Sequence, residues 1–309
     1  MSLTYKALVV VVAALAQLTG AFDRNDPLDS CPPAARTIIE NQSAFNSTGE
    51  TSFKLLPTSS QANDNDDWHL ALTFRDERAQ NTLYSSSLTR QSLGVIVSVP
   101  ERFPGSEAGK QTSLCVYRLE QQSAAANANE QASCTGILSD ACISALNSVP
   151  AASDGSCPVP DIAGACGDAK VVGSTTTPVV FNSTLCSTNA TIPQSDAIPD
   201  GYQNYITFAS GELNRTDDSR TSFTVYNEHI VQPVPILLTA KLGGAGAGGA
   251  GNATTRSKLL CLAPSKVVQG SRTAVVTAAA GGSTAASLLG AAKPVLVMSL
   301  LASILAVVL

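Results

Sequence analysis

Trp68-His69-Leu70-Ala71-Leu72-Thr73-Phe74-Arg75 is the stretch that decides how this chain folds. Trp68, Leu70, Leu72 and Phe74 alternate with His69, Ala71, Thr73 and Arg75. That is the period-two pattern of a strand with one face in a core and the other toward water. On this reading Trp68 is a core residue, and His69 stands in solvent beside Arg75. Gly94–Val99 (GVIVSV) repeats the signal and ends against Pro100. Ser113–Leu119 (SLCVYRL) does so again, with Cys115 and Tyr117 on one face. Three such segments in succession predict an antiparallel meander.

The same signal returns downstream at Tyr205–Ala209, Ser222–Tyr226, Val234–Lys241 and Lys258–Leu262, and a short strand is expected upstream at Thr51–Leu56. Between the last two strands lies Leu242–Asn252 (LGGAGAGGAGN), a Gly/Ala loop with little to pack and much backbone freedom. The expected fold is mainly β, an antiparallel, sandwich-like ectodomain over residues 22–262. Residues 120–201 interrupt it with a different composition. Gln121–Gln131 is a polar loop, and Ser139-Asp140 reads as the cap of a short helix carrying Cys142, Ile143 and Leu146 at helical spacing. Five of the eight cysteines fall in this segment, which is therefore read as a small disulfide-rich helical insert.

Both ends of the chain carry targeting signals. Lys6 precedes the apolar run Ala7–Ala16 and the small residues up to Ala21, the layout of a secretory signal peptide covering residues 1–21. From residue 263 the chain becomes a small-residue stalk reaching Ala280-Gly281-Gly282-Ser283. A spacer then runs to Lys293, and Pro294–Leu309 is apolar apart from two serines. Small residues, spacer and greasy tail form the pattern for attachment of a glycosylphosphatidylinositol (GPI) lipid. Gly281 is the expected attachment residue, with Ala280, Gly282 and Ser283 as neighbours able to serve, and residues 284–309 are removed. A transmembrane helix is the competing reading. The sixteen residues from Pro294 to Leu309 make a helix of about 24 Å, short of a hydrocarbon core of about 30 Å. No Lys or Arg follows them to form a positive flank.

With Lys6 and Lys293 removed, 17 basic residues face 24 acidic ones, a net charge of −7. That balance argues against nucleic acid as a partner. All eight cysteines (Cys31, Cys115, Cys134, Cys142, Cys157, Cys166, Cys186 and Cys261) lie in the mature region, and an even count in an oxidising compartment reads as disulfides. Short separations favour Cys134–Cys142 and Cys157–Cys166 as local loops. With no Cys-x-x-Cys pair and two histidines, a zinc site is not expected. Six Asn-x-Ser/Thr sites, at Asn41, Asn46, Asn182, Asn189, Asn214 and Asn252, predict N-linked glycans on exposed loops.

Catalytic signals are sparse. A nucleophilic triad could draw only on His69 or His229, and no Gly-x-Ser-x-Gly elbow, His-Glu-x-x-His or phosphate-cradling glycine loop occurs. The acidic cluster Asp64-Asn65-Asp66-Asp67 lacks the glycine and distal glutamate of a calcium-binding EF-hand loop and reads as a solvated turn. Paired carboxylates of the glycosidase kind leave no sequence signature, and Asp76, Glu77, Glu212 and Glu228 sit near strand ends where two could converge. No cofactor is implied.

A signal peptide, paired cysteines, multiple sequons, a Ser/Ala/Gly stalk and a GPI-type tail together resemble the surface glycoproteins of filamentous ascomycete fungi. The resemblance lies in the layout of the whole chain, with no family-specific motif. It implies a plasma-membrane or cell-wall location and transfers no catalytic residue. The expected role is non-enzymatic: wall structure, adhesion or recognition, with the membrane as partner through the GPI lipid and a wall glycan or another surface protein as ligand. A secreted carbohydrate-binding or carbohydrate-active protein using paired carboxylates is the alternative.

Overall fold

The computed structural model describes residues 45–55, 67–78, 89–122, 132–151, 155–176, 178–181, 187–188, 198–216, 223–242 and 254–275, with backbone alone for 77–78, 89–90, 187–188 and 208–216. Outside the described residues lie residues 1–21, expected as a signal peptide, and Cys31, Cys186, Asn41, Asn182, Asn189 and Asn252. So do the Gly/Ala loop from 243 on, most of the acidic cluster and polar loop, and everything from 276 to 309.

The fold is mainly β, as the alternating segments require. Strands β1 (Ser47–Phe53), β2 (Trp68–Arg78) and β3 (Thr89–Pro100) pair consecutively and antiparallel. β8 (Tyr202–Thr216) lies against β3, and two-residue strands close the edges: β7 (Ser187–Thr188) beside β8 and β11 (Lys266–Val267) beside β1. These six form the first sheet, in the order β11-β1-β2-β3-β8-β7. The second is built from β10 (Thr254–Leu262), β9 (Val234–Leu242), β4 (Ser113–Leu119) and β5 (Val171–Ser174), with β6 (Val179–Val180) also on β4. The meander expectation is thus half right: β4 leaves the first sheet and pairs with β9 and β5.

The chain between β3 and β4 explains the departure. Pro100 cannot extend the ladder, and two short helices follow, α1 (Arg102–Gly105) and α2 (Glu107–Lys110). Ser106 ties them together, its Oγ accepting from Gly109 N at 3.0 Å and donating to Phe103 O at 2.7 Å. Phe103 drops into the core edge-on to Trp68 and Phe181. A link of this kind crosses from one sheet to the other, unlike a two-residue hairpin turn.

One apolar core serves both sheets. Trp68, Leu70, Leu72 and Phe74 of β2 and Val95, Val97 and Val99 of β3 join Leu114 and Val116 of β4 and Ile236, Leu238 and Ala240 of β9 in a single cluster. Trp68 is buried, as its phase predicted, and lies edge-on to Phe53, Phe103 and Phe181. The opposite phase of β2 departs from expectation. His69 is 5% exposed and Thr73 1%, so the face read as solvent-facing is buried as well. Ala71 and Ile96, on that same face, belong to neither apolar cluster of the fold.

The insert packs on the far face of the second sheet. Helix α3 (Asp140–Asn147) forms where the sequence placed it, with Ser139 Oγ accepting from Cys142 N at 3.2 Å. It buries Cys142 and Leu146 with Ile162 against Tyr117, Leu119 and Leu237. Helix α4 (Ala163–Cys166) completes this layer. Three disulfides bind it: Cys115–Cys157, Cys134–Cys261 and Cys142–Cys166. The short loops Cys134–Cys142 and Cys157–Cys166 are therefore not formed. Ala132, next but one to Cys134, accepts from Cys261 N at 2.9 Å, which holds Cys134 against β10, while α3 presents Cys142 to α4.

Two further expectations change. Ser222–Tyr226, predicted as strand, begins helix α5 (Thr224–His229) instead. Tyr226 and Ile230 are buried one turn apart, and packing outweighs the β preference of Thr, Val and Tyr. The segment from residue 263 also starts as part of the fold. β11 pairs with β1, Arg272 lies 4.1 Å over the Phe223 ring, Tyr226 Oη donates to Arg272 O, and Val275 N donates to Asn227 Oδ1 at 3.1 Å. The compact unit ends at Val275. Gly49 in β1 records how closely the chain passes: a Cβ there would stand 2.3 Å from Ala263 O.

Candidate functional site

Polar side chains at core-facing positions are the first place to look for chemistry, since each must be satisfied or costs stability. On β3 the inward row Val99, Val97, Val95, Leu93 ends in Gln91, which is fully buried. On β4 the inward row Leu114, Val116 ends in Arg118, also buried. Helix α5 brings His229 to the same end of the core, where its ring meets Phe74 edge-on and its Nδ1 lies 2.5 Å from Gln91 Oε1. The amide oxygen can only accept, so Nδ1 carries the proton. Gln121, just past β4, fixes the helix end by donating from Nε2 to His229 O at 2.6 Å and Gln232 O at 2.9 Å. In the backbone register Asp76 of β2 stands opposite Gln91.

Electrostatics hold this cluster in one protonation state. Burial, and then the positive charge of Arg118, depress the His229 pKa from 6.5 to about 4. Burial also lowers Arg118, to about 10. The imidazole is therefore neutral, and its Nδ1 is engaged by an amide oxygen. The arrangement is a polar plug at one end of the core, suited to fixing α5 against both sheets.

A second polar set crosses the other face of the first sheet. Register aligns Ser52, His69, Ser98 and Asn204 on four adjacent strands. Ser98 Oγ donates to Asn204 Oδ1 at 2.5 Å, and His69 instead meets the edge of Tyr202, whose hydroxyl donates to Asp67 O at 2.9 Å. His69 Nδ1 has no hydrogen-bond partner, and burial lowers its pKa against the opposing pull of Asp67 and Glu50. Serine and histidine are neighbours here, yet the serine proton points to an amide. This is not a nucleophile and its base.

The carboxylates singled out from the sequence gather only in part. Asp76, Glu77 and Glu212 come to the same end of the first sheet, Glu77 opposite Arg90 and Glu212 opposite Ser92. β2 and β8 flank β3, which separates their backbones by about 10 Å. Glu228 is exposed on α5 next to the plug. The six described cysteines are all in disulfides, and among the described residues no group of three or more His, Cys, Asp or Glu side chains could hold a metal ion. Among the sequons, Asn46 is half-buried at the start of β1, its Oδ1 accepting from Asp76 N at 2.5 Å. Asn214 lies in β8, with its backbone alone described.

Gln91, Arg118 and Gln121 were missed in the sequence. Their signal was present for the first two: a glutamine and an arginine in phase with apolar residues are a local conflict with the strand pattern. Among the described residues no helix is long and apolar enough to cross a membrane. Comparison of the chain with protein-family models, with curated proteins and with solved structures finds no match.

Proposed function

We propose that the chain is a GPI-anchored glycoprotein of the cell surface or cell wall, whose disulfide-braced β domain serves wall structure, adhesion or recognition without catalysis. The carrying observation is the set of three disulfides, one of which ties residue 134 to residue 261 across the whole second half of the domain. Such bridges form and persist in oxidising compartments, which agrees with an N-terminal secretory signal. The small-residue patch at 280–283, the spacer and the apolar tail supply the anchor. Attachment at Gly281 leaves only six residues between the last described residue, Val275, and the lipid. The domain would therefore sit close to the membrane surface.

Among the described residues the aromatic side chains favour this reading over the carbohydrate-active alternative: Trp68, Phe53, Phe74, Phe103, Phe181, Tyr117, Tyr205 and Tyr226 are buried and Tyr202 and Phe223 half-buried, whereas a sugar platform needs rings that face solvent. Mass spectrometry of the protein purified from membranes tests the anchor. A C-terminal peptide ending at Gly281 or a neighbour and carrying ethanolamine-glycan is expected, and substituting bulky residues for Gly281, Gly282 and Ser283 should abolish surface display. Recovery of a mature peptide that contains Val295–Leu309 would overturn the assignment.

A further inference from the structure

We infer that helix α5 is the catch of a latch: it holds an arm, residues 271–275, against the domain, and protonation of His229 lets helix and arm open together. The arm belongs to neither sheet. Just before it the chain is still pinned, since Val268 N donates to Asn46 O at 2.9 Å. Gly270 then turns the backbone at φ +89°, a conformation that glycine adopts without strain, and serves as the hinge. Beyond the hinge the contacts run to α5 and the residue that opens it. Arg272 lies 4.1 Å over the Phe223 ring, Tyr226 Oη donates to Arg272 O, and Val275 N donates to Asn227 Oδ1 at 3.1 Å. Half-buried Ala274 adds a small apolar contact with the core.

The catch is itself held from one end of the core. α5 lies outside both sheets and is fixed by buried Tyr226 and Ile230, by the His229–Gln91 hydrogen bond and by Gln121 on His229 O and Gln232 O. Around the imidazole, Gln91 of β3 and Phe74 of β2 touch the ring, and Arg118 of β4 bears on it as a positive charge. Asp76 takes the next inward place on β2, and Arg78, described by its backbone alone, the one after. On α5 itself Glu228 is exposed, and the arm contributes Arg272 over Phe223. Solvating the ring therefore requires the helix to leave the core, and the arm then loses its catch.

Proton binding drives that opening. Burial and Arg118 hold His229 at about 4 in the closed state, against 6.5 once the ring is solvated. The open state binds the extra proton between these values, so opening becomes easier as pH falls, by about 20-fold from pH 7 to pH 5. The latch stands without the GPI anchor; only its consequence for the tether rests on that reading. With a lipid at Gly281, release lengthens the free tether from six residues to eleven, adding about 17 Å of reach.

Native-state hydrogen exchange of the mature protein at pH 7, 6 and 5, corrected for intrinsic rates, tests the latch. The amides of Val275 and Ile230 should lose protection together, by about 20-fold over that range. Their exchange should not respond to low urea, whereas that of Leu237 in β9 should, because local opening exposes little surface. His229→Gln should abolish the pH dependence at both amides. Tyr226→Phe should speed Val275 exchange by about threefold to tenfold at every pH and leave its pH slope unchanged. It carries the test, with the unaltered protein, if His229→Gln is not secreted. Corrected exchange of Val275 that does not vary with pH would overturn the proposal, since the arm would then open while His229 stays buried. Amides of α5 sharing the urea dependence of Leu237 would do the same. Neither readout involves the lipid, so failure of the anchor is seen separately in the C-terminal peptide.

Discussion

Acidification should destabilise this domain through His229, and the size of the effect follows from the plug that encloses it. The folded-state pKa of about 4 lies below the value of 6.5 expected in the unfolded chain. Between those limits the unfolded state binds more protons, so stability is present in full above about pH 6.5 and is lost as pH falls toward 4. One proton contributes a slope of about 1.4 kcal/mol per pH unit. The loss is about 2 kcal/mol at pH 5 and about 3 kcal/mol once both states are protonated. Against a total stability of roughly 5–15 kcal/mol this is a large fraction. Burial sets the direction by withholding the water that would solvate an imidazolium, and Arg118 on β4 then repels it. His69, also lowered by burial, adds a term of the same sign. Urea unfolding at pH 7, 6, 5 and 4.5, followed by Trp68 fluorescence, measures the slope. His229→Gln removes the titrating ring and should flatten the curve by close to one proton over that window, whatever its effect on stability at pH 7. Parallel curves for the two proteins would refute the assignment of His229 as a buried, neutral imidazole.

Other perturbations test the packing. Leu72→Asp and Thr73→Asp should both block secretion, because both faces of β2 are buried and an unpaired buried charge costs several kcal/mol. Thr255→Asp on the exposed part of β10 should leave secretion unchanged, and normal yields of Thr73→Asp would show that the outer face is open. Gly49→Ala should lower stability by about 1–3 kcal/mol in the same urea assay, since its methyl group overlaps Ala263 O. Replacing Cys134 and Cys261 together by serine should cost about 2–5 kcal/mol, read as a lower melting temperature with the other bridges retained.

Alternation in the sequence located the long strands β2, β3, β4, β8, β9 and β10, but it missed the short edge strands and read the start of α5 as a strand. Trp68-to-Phe74 and Leu114/Val116 show which residues enter the core, because burial on one phase demands apolar side chains there. The bounds of β4 and the Ser139 cap of α3 follow from the same local chemistry. The rest needed three dimensions. Thr73, Ala71 and Ser98 are small or weakly polar and tolerate either environment, so their phase is silent about whether another layer covers them. His69 reads as surface for the same reason. Disulfide pairing depends on which Cβ atoms meet within about 4 Å, and contour distance along the chain does not encode that. Cys134 therefore finds Cys261 on β10 and passes over Cys142, which the helix turns toward Cys166. The plug of Gln91, Arg118 and His229 arises in the same way. Three residues far apart in sequence, each merely out of pattern on its own strand or helix, become one site only when two sheets and α5 close around the end of the core.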